Sequence, residues 1–315
     1  MTVACVASPL AGAQLPAGYP GKPIRLVVPY APGGFPDTVA RILQQRLGER
    51  LGQSVVVDNR PGANGGVAAG ALTSAPADGY TFLVTDGSMF SINPLTYSKL
   101  TYDAKKDFVP VALVARAPLF LALHPKVPAQ NFKQFIDYVK ANPGKVNYGS
   151  SGIGSTHHLT VEAMKTSLGL DMVHVPFKGT GQSVPALVAG QVDALFSAYP
   201  SLAGFVKDGR VKLIATNAAQ RSSLASDSPA IAELVPGFDF APIVGVLALN
   251  GTPSAIIDKI ASEVVAITKM PEVVQQMATA GIDPVGTGAD GYARAIADEN
   301  ARMAKAIQAA GLKPE

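Results

Sequence analysis

The chain of 315 residues contains no tryptophan, and its one cysteine, Cys5, stands almost at its start. A lone cysteine forms no internal disulfide, and it leaves Cys-nucleophile and thiolate-metal chemistry without partners. Charge is scarce too: charged residues make up 16% of the chain, and no run of basic residues exceeds Lys105-Lys106. That excludes a nucleic-acid surface built on a basic patch. The formal charge of +3 is compatible with an anionic small ligand without demonstrating one. No apolar stretch reaches the roughly 18–20 residues that a membrane span needs. Of the four histidines, His157 and His158 are adjacent. On a helix their side chains diverge by about 100°, so they do not share a metal ion readily, and no metal site is expected.

Apolar residues, by contrast, are plentiful at 48%, enough for two packed domains of ordinary size. Residues Thr2 to Leu10 are small and apolar, and Ala11-Gly12-Ala13 fits a signal-peptidase site. Residues 1–13 are therefore read as the remnant of a secretory signal, lacking a basic leading region because the first Lys is Lys22. Thr2-Val3-Ala4-Cys5 is only a weak lipoprotein box. Cleavage after Ala13 leaves a mature chain without cysteine.

Ile24 to Val28 reads as a strand, followed by the loop Tyr30-Ala31-Pro32-Gly33-Gly34-Phe35-Pro36. Asp37 then caps a helix whose apolar face is Val39, Ile42, Leu43 and Leu47. Ser54 to Asp58 is a second strand, Ala68 to Ser74 a helix, and Tyr80 to Val84 a third strand. The alternation predicts a parallel, doubly wound sheet. It restarts with Val146-Asn147-Tyr148-Gly149, a helix from Thr156 to Leu168, a strand at Asp171 to Val175 and a helix at Ser183 to Ala189. Strands at Asp193 to Phe196 and Leu213 to Thr216 complete the second set. Val111 to Leu123 and Phe240 to Leu249 read as two long strands crossing between lobes. The expected fold is α/β, two doubly wound lobes joined by two crossing strands around a ligand cleft. Lobe 1 takes residues 22–120 and 247–315, and lobe 2 takes 121–246.

Both glycine-rich loops fall at carboxyl ends of strands, where such sheets bind ligands. Gly33 and Gly34 let the backbone approach a ligand, and the helix behind them offers free N–H donors and partial positive charge. Gly149-Ser150-Ser151-Gly152-Ile153-Gly154-Ser155-Thr156 offers the same backbone with four hydroxyls. Facing each other, the loops can hold a carboxylate without Arg or Lys. Each can equally serve merely to turn strand into helix. The enzyme signatures fail: Gly144-Lys145 is followed by Val146, Gly152-x-Gly154 lacks a third glycine, and Ser151 sits outside a nucleophile elbow. A hydrolase using Ser151 or Ser155 with His158 is the surviving enzyme alternative. His158 and Glu162, four apart, read as a helix-surface pair. No cofactor is implied.

Many ordered stretches resemble one family: Tyr19-Pro20-Gly21-Lys22-Pro23-Ile24, Val28 to Gly34 with Asp37, Val57-Asp58-Asn59-Arg60-Pro61-Gly62-Ala63, and Asp78-Gly79-Tyr80. Ile92-Asn93-Pro94, Tyr148 to Gly152, His158-Leu159, His174 to Gly179 and Gly190-Gln191-Val192-Asp193 continue the series. With these stretches the chain is similar to the tripartite tricarboxylate transporter substrate-binding proteins, the Bug (TctC-like) receptors of Gram-negative bacteria. The resemblance implies a monomeric periplasmic receptor of type II-like fold that clamps a small carboxylate and works with separate membrane transporter subunits. A role in ligand sensing for a sensor kinase is the alternative. The resemblance carries the carboxylate grip onto Pro32, Gly33, Gly34 and Asp37, and onto Ser150, Ser151, Gly152, Gly154 and Ser155, with Thr156 and His158 beside them. Candidates for specificity are Phe35, Thr85, Asp86, Ser88, Phe177, Lys178, Gly179 and Ser197. Four positions depart from the family pattern: Phe35-Pro36 replaces small or polar residues, Ser197 stands where Asp is common, and Ile243 stands near the family Trp. Those departures favour a less polar ligand, such as an aromatic acid, over citrate.

Overall fold

The structure, a computed structural model, describes residues 15–313, so the expected signal remnant and Cys5 lie outside the described residues. β1 (Ile24–Val28) is a run of apolar and β-branched residues with almost every side chain buried. α1 (Phe35–Leu51) begins behind Gly34, takes Pro36 in its first turn and stops at Gly52, whose φ of 65° ends the helix. The expected cap is thus corrected: Asp37 lies inside the first turn, and Gly34 occupies the capping position. β2 (Val55–Asn59), α2 (Gly66–Thr73) and β3 (Thr81–Asp86) follow. A single π-type turn, Ser88–Ile92, and the one-turn α3 (Asn93–Thr96) lead into β4 (Phe108–Arg116).

The chain then enters a second sheet. In order come β5 (Leu119–Leu123), α4 (Phe132–Ala141), β6 (Val146–Ser150), α5 (Thr156–Leu168) and β7 (Met172–Pro176). α6 (Thr180–Val188), β8 (Ala194–Ala198), α7 (Tyr199–Lys207) and β9 (Lys212–Thr216) complete that lobe. The return is β10 (Ile243–Leu249), α8 (Ser254–Ile267), α9 (Pro271–Thr279), β11 (Asp283–Gly288) and α10 (Ala289–Ala309).

The first sheet has the order β11-β4-β10-β3-β1-β2, the second β7-β6-β8-β5-β9. Each holds three parallel strands, with β1 between β2 and β3 and β6 between β7 and β8. Neither sheet is purely parallel: β10 runs antiparallel to β3 and β4, and β5 antiparallel to β8 and β9. These antiparallel members come from the inter-lobe excursions. In both lobes the chain leaves the middle parallel strand for a neighbour on one side and later takes up the other side. The glycine-rich loops after β1 and β6 therefore sit at topological switch points, where the two directions of winding leave a crevice.

The crossings differ from the two long strands expected. Ala117-Pro118 separates β4 from β5, and Pro118 supplies no N–H to continue a ladder. The second passage, 217–242, holds no strand before β10, only the short 3₁₀ turns Ser223–Ala225 and Ile231–Glu233. The two passages touch: Ala117 N donates to Pro242 O at 2.9 Å. Buried Asn217 ties them further, accepting from Leu119 N and donating to Phe240 O, both at 2.8 Å. Each lobe buries its own core, around Leu26, Val28, Val84 and Val246 in the first and Leu121, Tyr148, Leu159 and Phe196 in the second. α10 spans both, with Tyr292 in a first-lobe cluster and Met303, Ala306 and Ile307 in the second-lobe core.

Candidate functional site

The loop after β1 is held from behind. Asp37 is 1% exposed, and its carboxylate accepts from Gly33 N, Arg41 Nε and Asn59 Nδ2, each at 2.8 Å. Burial acts to raise its pKa, but these hydrogen bonds outweigh it and hold the carboxyl below the usual range. Asn59 also donates to Tyr30 O. Every oxygen of Asp37 is thus engaged within the protein, so its contribution is to fix the loop. Gly33, at φ 92°, takes a backbone conformation that a side chain would strain.

Asp86, at the end of β3, receives Tyr30 Oη at 2.7 Å and Ser88 N at 3.0 Å. Burial pushes the pKa of Asp86 up, and burial together with Asp86 pushes that of Tyr30 up. The pair pins Tyr30 and presents Ser88 at the cleft.

In the second lobe the Ser/Gly loop is braced by histidines. Ser150 Oγ lies 2.7 Å from His174 Nε2, and Gly154 N donates to His158 Nδ1 at 3.1 Å. Ser155 caps α5, accepting from His158 N, and its hydroxyl donates to Gly152 O. His158 is buried and stacks on His174. The expected His158–Glu162 surface pair is replaced: Glu162 accepts from the Tyr148 hydroxyl and from Lys165 Nζ. It is the neighbouring His157 that faces the cleft, with Nδ1 2.8 Å from Ser151 Oγ.

A cavity of about 450 Å³ opens between the lobes. Ser88, Ile92, Asn93, Thr96 and Tyr97 form its first-lobe wall, and Ser151 to His157 form the opposite wall, closed by Leu312 and Lys313. The N-terminus of α5 thereby meets the cavity, bringing about half a unit of positive charge. A second cavity of about 420 Å³ shares Ser88 and Asn93 and extends along Tyr30, Ala31, Pro61, Gly62, Ala63 and Gly65.

Of the expected site residues, the structure brings Ser88, Ser151, Gly152, Gly154, Ser155 and Thr156 together around the cleft. Ser150 braces the loop from below. Pro32, Gly33 and Asp37 line a different hollow, with Arg41 and with Gln276 and Thr279 of α9. Phe35 packs on the first-lobe core and lines neither cleft cavity. Thr85 and Ser197 are fully buried, and Ser197 Oγ has no hydrogen-bond partner. Phe177 N donates to Ser150 O, the Phe177 ring packs on second-lobe apolar residues, and Lys178 and Gly179 open α6 behind it. Sequence reasoning passed over Tyr30, Asn93 and Tyr97, and weighed His157 only together with His158, without making it a site residue. Asn93 and Tyr30 stood inside the quoted family stretches, whereas nothing marked Tyr97.

The Ser151–His157 contact also bears on catalysis. Burial alone lowers the His157 pKa, to about 4, with no carboxylate acting on it. A Ser–His pair without an orienting acid lacks the third member of a hydrolytic triad. Among the described residues no cluster of His, Cys, Asp and Glu is arranged to hold a metal ion, and no helix is long and apolar enough to cross a membrane.

Comparison with known proteins agrees with this architecture. The model of the tripartite tricarboxylate transporter family receptor matches residues 39–312. Protein BugT of Bordetella pertussis is 33% identical over 297 residues, covering 94% of this chain and 91% of the relative. An R. palustris protein, Rpa4515, solved with adipate, is 34% identical with a TM-score of 0.79 over 94% of this chain and all of that one. MatC from Rhodopseudomonas palustris, solved with bound malate, is 29% identical with a TM-score of 0.72, over 92% of this chain and all of its own. The two-lobed fold, the loops at both switch points and the match across most of its length show that the chain belongs to the tripartite tricarboxylate transporter receptor family.

Proposed function

We propose that the protein is a periplasmic receptor that captures a small carboxylate between its lobes and delivers it to the membrane subunits of a tripartite tricarboxylate-type transporter, without turning it over. The observation that carries this is the cavity between the lobes, where the α5 N-terminus and neutral hydroxyl and backbone groups converge. Such a surface suits an anion that must be released again, because its hydrogen bonds come from neutral groups and the cation on its wall, Lys313, is solvent-exposed. The adipate and malate bound by its structural relatives support the same ligand class. Ile92, Ile153, Tyr97 and Leu312 add apolar wall beside the polar groups, which favours a carboxylate with a hydrocarbon or ring body over citrate. The Phe35 argument for that preference falls away, since its ring packs on the core. The receptor works as a monomer in this scheme.

A thermal-shift screen of the chain from Gln14 against di- and tricarboxylates, acidic amino acids and aromatic acids tests the proposal. Ligand at a hundredfold excess over Kd stabilises by about 2.7 kcal/mol, and Ser151→Ala should diminish the shift. Absence of a shift with every acid, in folded protein freed of carried-over ligand, refutes it. The Ser151–His157 contact favours one second reading, an esterase. Turnover of nitrophenyl esters that Ser151→Ala abolishes would establish that activity instead.

A further inference from the structure

His157 occupies the second position of α5 and stands in the wall of the inter-lobe cavity. Its Nδ1 is fixed by Ser151 Oγ at 2.8 Å. Tyr97 from the first lobe and Lys313 from the chain end are the other titratable groups on that wall, and among the described residues no carboxylate lines it. Behind the loop lie His158, Glu162 and Lys165 of α5, Tyr148 of β6 and His174 of β7, all joined in their own network.

We infer that His157 is a specificity-determining residue that takes up a proton when an acid with a second carboxylate is bound, so that the cleft prefers dicarboxylates to monocarboxylates. This rests on the proposed capture of a carboxylate. One carboxylate is accommodated by the helix terminus and the neutral donors of the loop. A second buried carboxylate needs a full counter-charge. Lys313 is exposed, leaving His157, half-buried in the cavity wall, as the group placed to supply one.

Burial holds the imidazole neutral at pH 7, with a pKa of about 4. An anion in contact within the cleft reverses that balance, because a nearby opposite charge favours the protonated ring. The Ser151 contact survives the change. A hydroxyl is both donor and acceptor, so it donates to the neutral ring and turns to accept from the charged one. Because protonation is favoured only in the bound state, affinity for a dianion rises as pH falls through the bound-state pKa, and levels off near the free value of about 4.

Calorimetric titration at pH 6.5 in two buffers of different ionisation enthalpy reads the proton directly. The probes are adipate against hexanoate, phthalate against benzoate, and malate. Uptake of about half to one proton per dicarboxylate, and close to none per monocarboxylate, is expected. His157→Asn, which keeps a polar group beside Ser151, should abolish the uptake. It should also weaken dicarboxylate binding roughly tenfold or more while moving monocarboxylates by no more than about threefold. A melting transition at pH 7 checks that the variant folds, and His157→Gln repeats the test in a second side chain. Dicarboxylate binding without uptake, uptake unchanged in both variants, or equal binding of the two acid classes overturns the inference and leaves carboxylate capture standing. If none of the five acids binds the folded wild-type chain, the inference falls; carboxylate capture falls with it only when the wider acid screen also gives no shift.

Discussion

His158 and His174 lie face to face beneath the Ser/Gly loop, their ring centroids 4.0 Å apart and their planes 10° from parallel. Tyr148 continues the stack, 4.8 Å from His174. Each imidazole supports one point of the loop above, His158 through Gly154 N and His174 through Ser150 Oγ. Two protonated rings at that separation repel strongly.

Acid should therefore loosen the loop. Burial lowers the pKa of His158 and lowers that of His174 to about 4, the neighbouring His158 adding to the second effect. In the unfolded chain both return to about 6.5, so between those values the unfolded state binds more protons and stability falls as pH is lowered. Melting temperatures from pH 7 down to 4.5 should decline by several degrees, on the order of 2 kcal/mol. His174→Phe keeps a flat ring in the stack and should reduce this dependence, leaving the part that the likewise lowered His157 contributes; an unaltered slope would contradict the assignment.

Glu299 of α10 predicts the opposite sign, over the range from about pH 4.5 to about 8. Its carboxyl is buried against Gly87 and accepts from Ser91 Oγ at 2.8 Å. Burial raises its pKa to about 8, with the charge of Asp86 adding to the rise. The folded state then holds a proton that the unfolded state has lost above about pH 4.5, so stability falls as pH rises from there through about 8. Glu299→Gln should match the wild type near pH 5 and exceed it at pH 9, by chemical denaturation at both.

Asp37→Ala removes the acceptor shared by Gly33, Arg41 and Asn59. A loss of about 2–3 kcal/mol is expected, with ligand affinity reduced because the loop after β1 is no longer fixed. Denaturant midpoints and binding by calorimetry check both parts. A destabilisation below about 0.5 kcal/mol would show that Arg41 and Asn59 find other partners.

Asn217→Leu is isosteric enough to fill the site but leaves Leu119 N and Phe240 O unpaired where the two inter-lobe passages meet. The cost should be about 2–4 kcal/mol in the denaturant midpoint.

The alternation of apolar runs with glycine loops was enough to place both lobes' central strands and helices, because each α/β unit announces itself locally. α5 emerged with the same bounds, Thr156–Leu168, since Ser155 caps it and Gly169 ends it. What escaped was long-range. The antiparallel insertion of β10 beside β3 depends on a chain return that no local pattern encodes. The same holds within the site. Two adjacent histidines look alike in sequence, yet the helix turns His158 into the stack and His157 into the cleft. Phe35 read as a ligand contact because it follows Gly34, while the start of α1 directs it onto apolar core. Asp37 drew notice as a polar residue near the loop, and its role depended on three donors, one of them 22 positions away.

The position of β10 between β3 and β4 also sets an order of assembly. Residues 119–216 carry every strand of the second sheet, so that lobe has all its ladder partners once β9 is made. The first sheet does not. Until Ile243 to Leu249 emerges, β3 faces a gap where its neighbour belongs, and β4 has neither of its partners. Closing it joins segments more than 120 positions apart, and such distant pairing is slow. The half of the molecule that leaves the ribosome first is thus the half that finishes folding last.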